Sequence, residues 1–281
     1  MQLAVILLIA SCQLPGQIIP APEEAPDVKM EVEGPVALDP GVFLLAQGYQ
    51  QYLRCTLKIP SGFHVYWSNP GASGSATEIM VSTPAHCTVG GTLYPRPDTF
   101  HGPEGDTYGY EDEVTFLVPI TSTAVDVFDV EIKARWLACR KACYMGRATK
   151  DVQLNVVGHA QPAVDIELER VMKSIPGPLS ERPGTEVKLE ADRLIVTGPL
   201  GPMGMPTFIP DDIPGIVLGD PEFHQDESGF RFVLPFEYRP EDALGRDPIV
   251  SGLLLEGTER THPAWAITMS VPASQEEEVP E

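Results

Sequence analysis

Basic residues are scarce in this sequence of 281 residues, which has 19 Lys and Arg against 40 Asp and Glu and a formal net charge of −21. Proteins that bind nucleic acid or an anionic membrane surface need a basic face. The charge therefore argues against both kinds of partner. A well-solvated surface is its simplest explanation.

Long apolar segments and familiar enzyme motifs are also missing. Beyond the amino terminus, no apolar run approaches the roughly 20 residues that a membrane-spanning helix needs. The sequence has no Ser-His-Asp arrangement, phosphate-binding loop or zinc-ligand spacing, and we expect neither a cofactor nor a metal centre. Hydrophobic residues make up 43% of the chain, which is enough to build cores, and the length favours two domains.

Cysteines number only five, and the first, Cys12, follows a short apolar run from Leu3 to Ala10. The tetrapeptide Ile9-Ala10-Ser11-Cys12 resembles a bacterial lipobox, although no Lys or Arg precedes the run. We expect residues 1–12 to be an export signal that ends at a lipidated Cys12, which would be the only membrane anchor. A plainly cleaved signal and a cytosolic chain are the alternatives. Export would place the other cysteines in an oxidising compartment.

The chain on both sides of the expected folded part is polar. Residues 13–27 are rich in Pro and Glu and predict a flexible tether. Residues 274–281 predict an acidic, solvated tail.

The segment 130–147 carries Cys139 and Cys143. Its apolar and polar residues alternate up to Trp136, which predicts a half-buried strand. The same alternation puts Cys139 on the polar side, where we expect it to be reachable from solvent. A disulfide to Cys143 requires a turn through residues 140–142, because four extended residues would hold the two Cα atoms about 13 Å apart.

Basic residues surround this pair in an otherwise acidic chain. Residues 132–150 contain no Asp or Glu but six cations: Lys133, Arg135, Arg140, Lys141, Arg147 and Lys150. Nearby cations favour thiolate over thiol. We therefore expect Arg140 and Lys141 to activate the pair, and thiol–disulfide exchange to be its chemistry.

Short alternating strands with Pro and Gly between them dominate both halves of the chain. They predict an all-β fold of antiparallel sandwiches. Between the halves, Val164, Leu168 and Val171 are spaced as in one short helix before Pro176 and Gly177.

Cys55 lies on the apolar face of its predicted strand, and Cys87 lies in an apparent loop. Cys55 is expected to be a core cysteine or half of a structural disulfide. Four cysteines allow three connectivities, and we favour Cys55–Cys87 together with Cys139–Cys143. Soft ligands for Cu(I) are a competing interpretation of these cysteines with His86, Met145, Met203 and Met205.

Several motifs together resemble a known family, the amino-terminal periplasmic domain of thiol:disulfide interchange protein DsbD, and in particular its suppressor-of-copper-sensitivity relatives (ScsB). The motifs are residues 64–71 (HVYWSNPG), 94–97 (YPRP), 108–111 (YGYE) and 136–139 (WLAC) with Cys143. Fainter matches to the second module of those relatives are residues 192–196, 208–211 and 262–265.

The resemblance implies two immunoglobulin-like β-sandwich modules, at residues 28–158 and 183–273, joined by a helical connector at 159–182. It also implies that Cys139 and Cys143 pass electrons from a membrane domain to periplasmic partners, with Cys143 held in the mixed disulfide and Cys139 resolving it. Full-length relatives continue into a membrane domain and a thioredoxin-like domain, whereas this chain stops at Glu281. The partners implied are thioredoxin-like envelope proteins and a separate membrane electron donor.

The sequence therefore favours an envelope thiol:disulfide oxidoreductase, related to proteins of cytochrome c biogenesis and copper tolerance. Two alternatives remain: a non-catalytic interaction module with structural disulfides, and a copper-binding protein. The second module lacks cysteine and is interpreted as a docking or spacing module.

Overall fold

The computed structural model describes residues 24–159, 161–162, 165–190, 192–211, 213–227, 229–243 and 249–271. The expected signal at 1–12 with Cys12, most of the tether and the tail at 274–281 lie outside these residues. No helix among the described residues is long and apolar enough to span a membrane.

Two β-sheets formed by residues 29–157 pack face to face. The inner sheet has the strand order β1-β4-β10-β7, and the outer sheet has the order β2-β3-β12-β11-β5-β9-β8, with β6 paired to β11. The strands are β1 (Lys29–Glu33), β2 (Val36–Asp39), β3 (Val42–Ala46), β4 (Gln51–Lys58), β5 (His64–Gly71), β6 (Glu78–Ser82), β7 (Cys87–Val89), β8 (Asp98–Gly102), β9 (Gly105–Glu111), β10 (Glu113–Ser122), β11 (Val127–Cys139) and β12 (Cys143–Val157).

The core of this first sandwich follows the alternation that the sequence predicts. Leu53 and Leu57 of β4 and Phe116 of β10 are fully buried, as is Ile132 of β11. Successive side chains of a strand point to opposite faces, so one face of each sheet supplies the core. Trp67 is also buried, as expected for a core residue.

A single helix of the described residues, α1 (Ile166–Met172), follows the first sandwich. Asp165 caps it by accepting a hydrogen bond from the Leu168 amide at 3.0 Å, and the same carboxylate pairs with Arg54 of β4. Val171 is buried, whereas Val164 lies outside the described residues. The predicted connector is thus a short helix fastened to the inner sheet.

A second pair of sheets is built from residues 177–270, with strand orders β13-β21-β20-β16 and β14-β15-β19-β17, and β18 also pairs with β19. The strands are β13 (Gly177–Pro178), β14 (Glu186–Glu190), β15 (Arg193–Gly198), β16 (Thr207–Pro210), β17 (Ile216–Leu218), β18 (Glu222–Asp226), β19 (Gly229–Tyr238), β20 (Ile249–Leu255) and β21 (Ala264–Ser270). Short 3-10 turns occur at Leu179–Glu181 and Pro240–Asp242. The prediction of an all-β fold, with two sandwiches joined by a short helix, is confirmed.

Arg96 fastens the second sandwich to the first. Its side chain is 2% exposed, and its guanidinium donates to the carbonyl oxygens of Glu256 at 2.6 Å, Gly257 at 2.6 Å, His262 at 3.1 Å and Pro263 at 2.9 Å. Each neutral carbonyl accepts a charge-assisted hydrogen bond, which is stronger than a neutral one. The loop before β21 is therefore fixed against the first sandwich.

Apolar and polar contacts extend this interface. Ile209, Leu253 and Leu255 of the second sandwich belong to the same buried apolar cluster as the core of the first. Arg260 pairs with Asp98 at 3.0 Å and donates to the Glu113 carbonyl at 2.9 Å. A buried apolar contact flanked by these hydrogen bonds and the ion pair joins the two sandwiches more firmly than a bare linker would.

Candidate functional site

The two cysteines lie at the closed end of the long β11–β12 hairpin. Cys139 and Cys143 are directly opposite each other in the register, with Cα atoms 4.2 Å apart, and they form a disulfide. The loop between them is residues 140–142, where the Arg140 amide donates to the Ala142 carbonyl at 3.1 Å. The turn needed to join the pair is therefore present.

The two cysteines differ in their exposure to solvent. Cys139 is only 3% exposed, whereas Cys143 is exposed. The expectation that Cys139 is reachable from solvent is wrong, because Cys139 lies between two strands and pairs with His64 of β5 as well as with Cys143. At Cys143, β12 pairs with β11 alone, since β3 joins it only from Gln153 onward. An incoming group can therefore approach Cys143 and not Cys139.

A packed scaffold holds the hairpin end. Trp136 faces Gly146 across the ladder, and a Cβ atom on Gly146 would lie 2.2 Å from the indole Nε1. Only glycine leaves room for the ring there. The Arg140 guanidinium lies over the Phe63 ring, 4.6 Å from its centroid. This cation–π contact directs one of the two predicted activating cations back over the protein.

Lys141, the other predicted activating cation, is exposed in the turn. His64, beside Cys139, stacks on Phe100 with ring centroids 4.7 Å apart. Burial lowers the pKa of His64, and the nearby Glu111 opposes this only in part. A neutral imidazole therefore lies beside the buried sulfur near neutral pH.

The expected Cys55–Cys87 disulfide is absent, and both residues are buried free thiols. Cys55 pairs with Phe116 and Cys87 pairs with Ser122, so β10 separates them. They are two strands apart across the sheet and six residues apart along β10, a separation of about 20 Å, far beyond the reach of a disulfide. Cys87 also begins a short strand and does not lie in a loop.

Burial disfavours the thiolate form of both free thiols. It raises the pKa of Cys55 to about 12, and it raises the pKa of Cys87, where a hydrogen bond from Thr83 opposes it. Thiolate is the nucleophile and the metal ligand, so neither group is available for either role near neutral pH.

The residues named for copper are dispersed. Met145 lies on β12, whereas Met203 and Met205 lie in the second sandwich before β16. His86 faces Asp126 at 3.7 Å. Among the described residues, no three His, Cys, Asp or Glu side chains form a group that could hold a metal ion.

Sequence reasoning missed the residues that support the site. Gly146 could have been found, because a register that sets Cys139 opposite Cys143 also sets Trp136 opposite Gly146. Arg96 appeared only as part of a motif, and nothing in its local sequence indicates that it binds carbonyls more than 150 residues later in the chain.

Comparison with known proteins agrees with this geometry. Residues 36–155 match the family model described as thiol:disulfide interchange protein DsbD, N-terminal. No curated protein matches the sequence. The matched residues include β2 through most of β12 and therefore the whole cystine hairpin.

Among solved structures, the chain is similar to the N-terminal periplasmic domain of ScsB from Proteus mirabilis, with 16% identity, a TM-score of 0.56, and coverage of 86% of this chain and 93% of that one. The periplasmic chaperone SfaE matches with 8% identity and a TM-score of 0.25, over 85% of this chain and 98% of the chaperone. The first match supports the two-sandwich, immunoglobulin-like fold, whereas the second is too distant to carry an argument. The resemblance to the DsbD amino-terminal domain is confirmed, and the family match lies within the first sandwich.

Proposed function

We propose that this protein exchanges disulfides with thioredoxin-like proteins of the cell envelope through Cys139 and Cys143. The observation that carries the proposal is the asymmetry of the cystine, with one exposed and one buried cysteine at the end of a hairpin. A structural cross-link gains little here, because so small a ring stabilises the fold by only about 2 kcal/mol. The match to the DsbD amino-terminal family supports the same chemistry.

The exposure of the two cysteines supports the following order of events. A partner thiolate attacks Cys143 Sγ, the Cys139–Cys143 bond breaks, and its electron pair goes to Cys139 Sγ, which takes a proton. The partner's second thiolate then attacks the sulfur of the partner's first cysteine in the mixed disulfide. Cys143 leaves as a thiolate and takes up a proton. The partner dithiol becomes a disulfide, and the two cysteines become thiols. In the reverse direction, Cys139 resolves the mixed disulfide formed by Cys143.

Trapping tests this order. Cys139→Ser leaves Cys143 without a resolving thiol, so it should accumulate mixed disulfides with thioredoxin-like envelope proteins that disappear on reduction. Cys143→Ser should trap none. Cys87→Ser is the matched control, since it removes a thiol of the same domain and should leave the wild-type pattern.

Two outcomes would overturn the proposal. One is trapping that is equal in both hairpin variants. The other is a cystine that resists dithiothreitol until the protein is denatured. In either case a non-catalytic module with a structural cystine would be the better account.

We also propose that Cys12 anchors the protein to a membrane through lipid, with a separate membrane protein as electron donor. The support is the tetrapeptide Ile9-Ala10-Ser11-Cys12 after a short apolar run. Intact mass of the cell-derived protein should fit a diacylated chain that starts at Cys12. A mature chain with another, unmodified first residue would exclude the anchor.

A further inference from the structure

The outer face of the β11–β12 hairpin carries three successive cross-strand pairs that begin at the cystine. Alternation along each strand places all of them on the side away from the core. The pairs, called here the outer hairpin face, are Cys139 with Cys143, Leu137 with Met145, and Arg135 with Arg147.

The middle pair is apolar and open. Met145 is 91% exposed, and Leu137 opposite it is half-buried. The side chain of Met145 lies about 7 Å from the cystine along the strand. A thioether on an unbranched chain adapts to many apolar surfaces. The position suits contact with a protein that brings a thiol to Cys143.

The third pair places two cations opposite each other, an arrangement that destabilises a sheet. Glu78 of β6 pairs with Arg135 at 2.5 Å. Arg147 is exposed, and within the described part of the chain no ion pair includes it. A positive charge therefore lies about 13 Å from the cystine in a protein of net charge −21.

We propose that the outer hairpin face is the docking surface for the redox partner, and that the partner presents an acidic surface. On that partner, the reacting thiol is flanked by apolar side chains, and carboxylates lie about 13 Å beyond it, opposite Arg147. This inference rests on the proposed function, since the partner's thiolate must reach Cys143 Sγ for the cystine bond to break. Beyond that function, the inference specifies the chemistry of the partner surface that the outer hairpin face binds.

Two reduced single-cysteine peptides probe the face. Both place Leu beside the Cys, and they carry either Glu or Lys four residues away, a distance of about 13 Å in an extended chain. The rate at which each reduces the cystine of the full-length protein is measured by alkylation and mass spectrometry. Each rate is divided by the same peptide's rate with hydroxyethyl disulfide, which removes the effect of the peptide charges on its own thiol.

The net charge and the local face predict opposite results. A chain of charge −21 should favour the Lys peptide at long range, whereas Arg147 should favour the Glu peptide at contact. At an ionic strength of 0.1 M, charges beyond about 10 Å are largely screened, so contact should decide. We expect the Glu peptide to react about fivefold faster under these conditions and the preference to fade at higher salt.

Arg147→Glu should reverse the preference. Lys150→Glu is the matched control, because it makes the same charge change on the same strand but on the opposite side of the sheet. Met145→Gln should slow both peptides to a similar extent and leave reduction by dithiothreitol unchanged.

Reduction by dithiothreitol distinguishes failure of the proposed docking surface from failure of the proposed disulfide exchange. If dithiothreitol reduces the cystine readily but the peptides react equally, the docking surface is wrong and the proposed function stands. The docking surface also fails if Lys150→Glu shifts the preference as much as Arg147→Glu. If dithiothreitol cannot reduce the cystine in the folded protein, the proposed function itself fails.

Discussion

The hairpin end and the inner sheet place cysteines in opposite environments. At the hairpin end, Cys139 and Cys143 face each other across one ladder and are joined, and Cys143 is exposed to solvent. In the inner sheet, Cys55 and Cys87 are separated by β10 and remain thiols, although both lie in the same sandwich. Strand register, and not the number of cysteines, decides which of them can pair.

The two regions also differ in the surroundings of their cysteines, as Cys55 and Cys143 illustrate. Cys55 is a small apolar residue between Val32 and Phe116 of the neighbouring strands, and its environment disfavours the thiolate. Cys143 begins β12 beside a turn that carries two cations, Arg140 and Lys141. One domain thus holds two buried thiols a few strands away from a partly exposed disulfide.

The largest expected effect is in alkylation. After mild reduction of the folded protein at pH 8, Cys143 should react with iodoacetamide at least about 10³-fold faster than Cys55. A thiol whose pKa is about 12 is one part in roughly 10⁴ thiolate at that pH, whereas an ordinary thiol is about one quarter thiolate. Mass spectrometry of quenched samples measures both rates. Denatured protein, in which Cys55, Cys87, Cys139 and Cys143 should react alike, is the control.

Equal labelling of Cys55 and Cys143 in the folded state would break the comparison. Labelling of Cys55 before the cystine opens would do the same. Graded reduction should label residues 139 and 143 first.

Stability at high pH provides a second contrast. The raised pKa of Cys55 means that the folded state keeps a proton that the unfolded chain releases. Its contribution to stability is therefore complete below the ordinary thiol pKa and is lost as pH rises toward 12. Between pH 9 and 10 the free energy of unfolding should fall by about 1 kcal/mol through this residue.

Urea unfolding of wild type and Cys55→Val at the two pH values measures this loss. The variant should lose less stability over the interval, whereas a Cys143→Ser variant should lose as much as wild type. A Cys55→Val protein with unchanged pH dependence would refute the assignment. Tyr94 and Tyr110, which also have raised pKa values, contribute mainly above this interval.

A third contrast between the hairpin end and the inner sheet concerns the packing at Gly146. Gly146→Ala forces a Cβ against the Trp136 indole and should destabilise the fold by about 1–3 kcal/mol, as overpacking does. The cystine should then reduce faster while alkylation of Cys55 stays slow. Gly91→Ala is the control, since a Cβ there meets no atom within 4 Å. An increase in Cys55 labelling equal to that of the hairpin would indicate global loosening.

Local patterns predicted much of this structure. Alternation in β4, β10, β11 and β12 indicated the strands and the inward face of each, and the spacing of Cys139 and Cys143 indicated their turn. These features depend on neighbouring residues alone, so a single sequence contains them.

Long-range pairing could not be predicted in the same way. Cys139 is buried because β5 pairs beside it, and Cys55 cannot reach Cys87 because β10 lies between them. Arg96 is fixed by carbonyls of the second sandwich. Each of these facts requires knowing which distant strands are neighbours, and alternation within one strand carries no such information.

The smallest expected effect concerns the charges of the turn. Replacing both Arg140 and Lys141 with Gln should reduce the thiolate fraction of reduced Cys143 near pH 7 and slow its alkylation by about threefold, the scale expected for exposed charges. Arg140 lies over Phe63, so Lys141→Gln and Arg140→Gln should be compared singly to separate charge from packing. Lys150→Gln, on the same hairpin but away from the turn, is the control.

The full pH profile of alkylation provides the test: its midpoint should move up in the double variant and stay in place in the control. An unchanged midpoint would mean that exposure alone distinguishes Cys143 from the inner thiols, and that the cations serve docking and not activation.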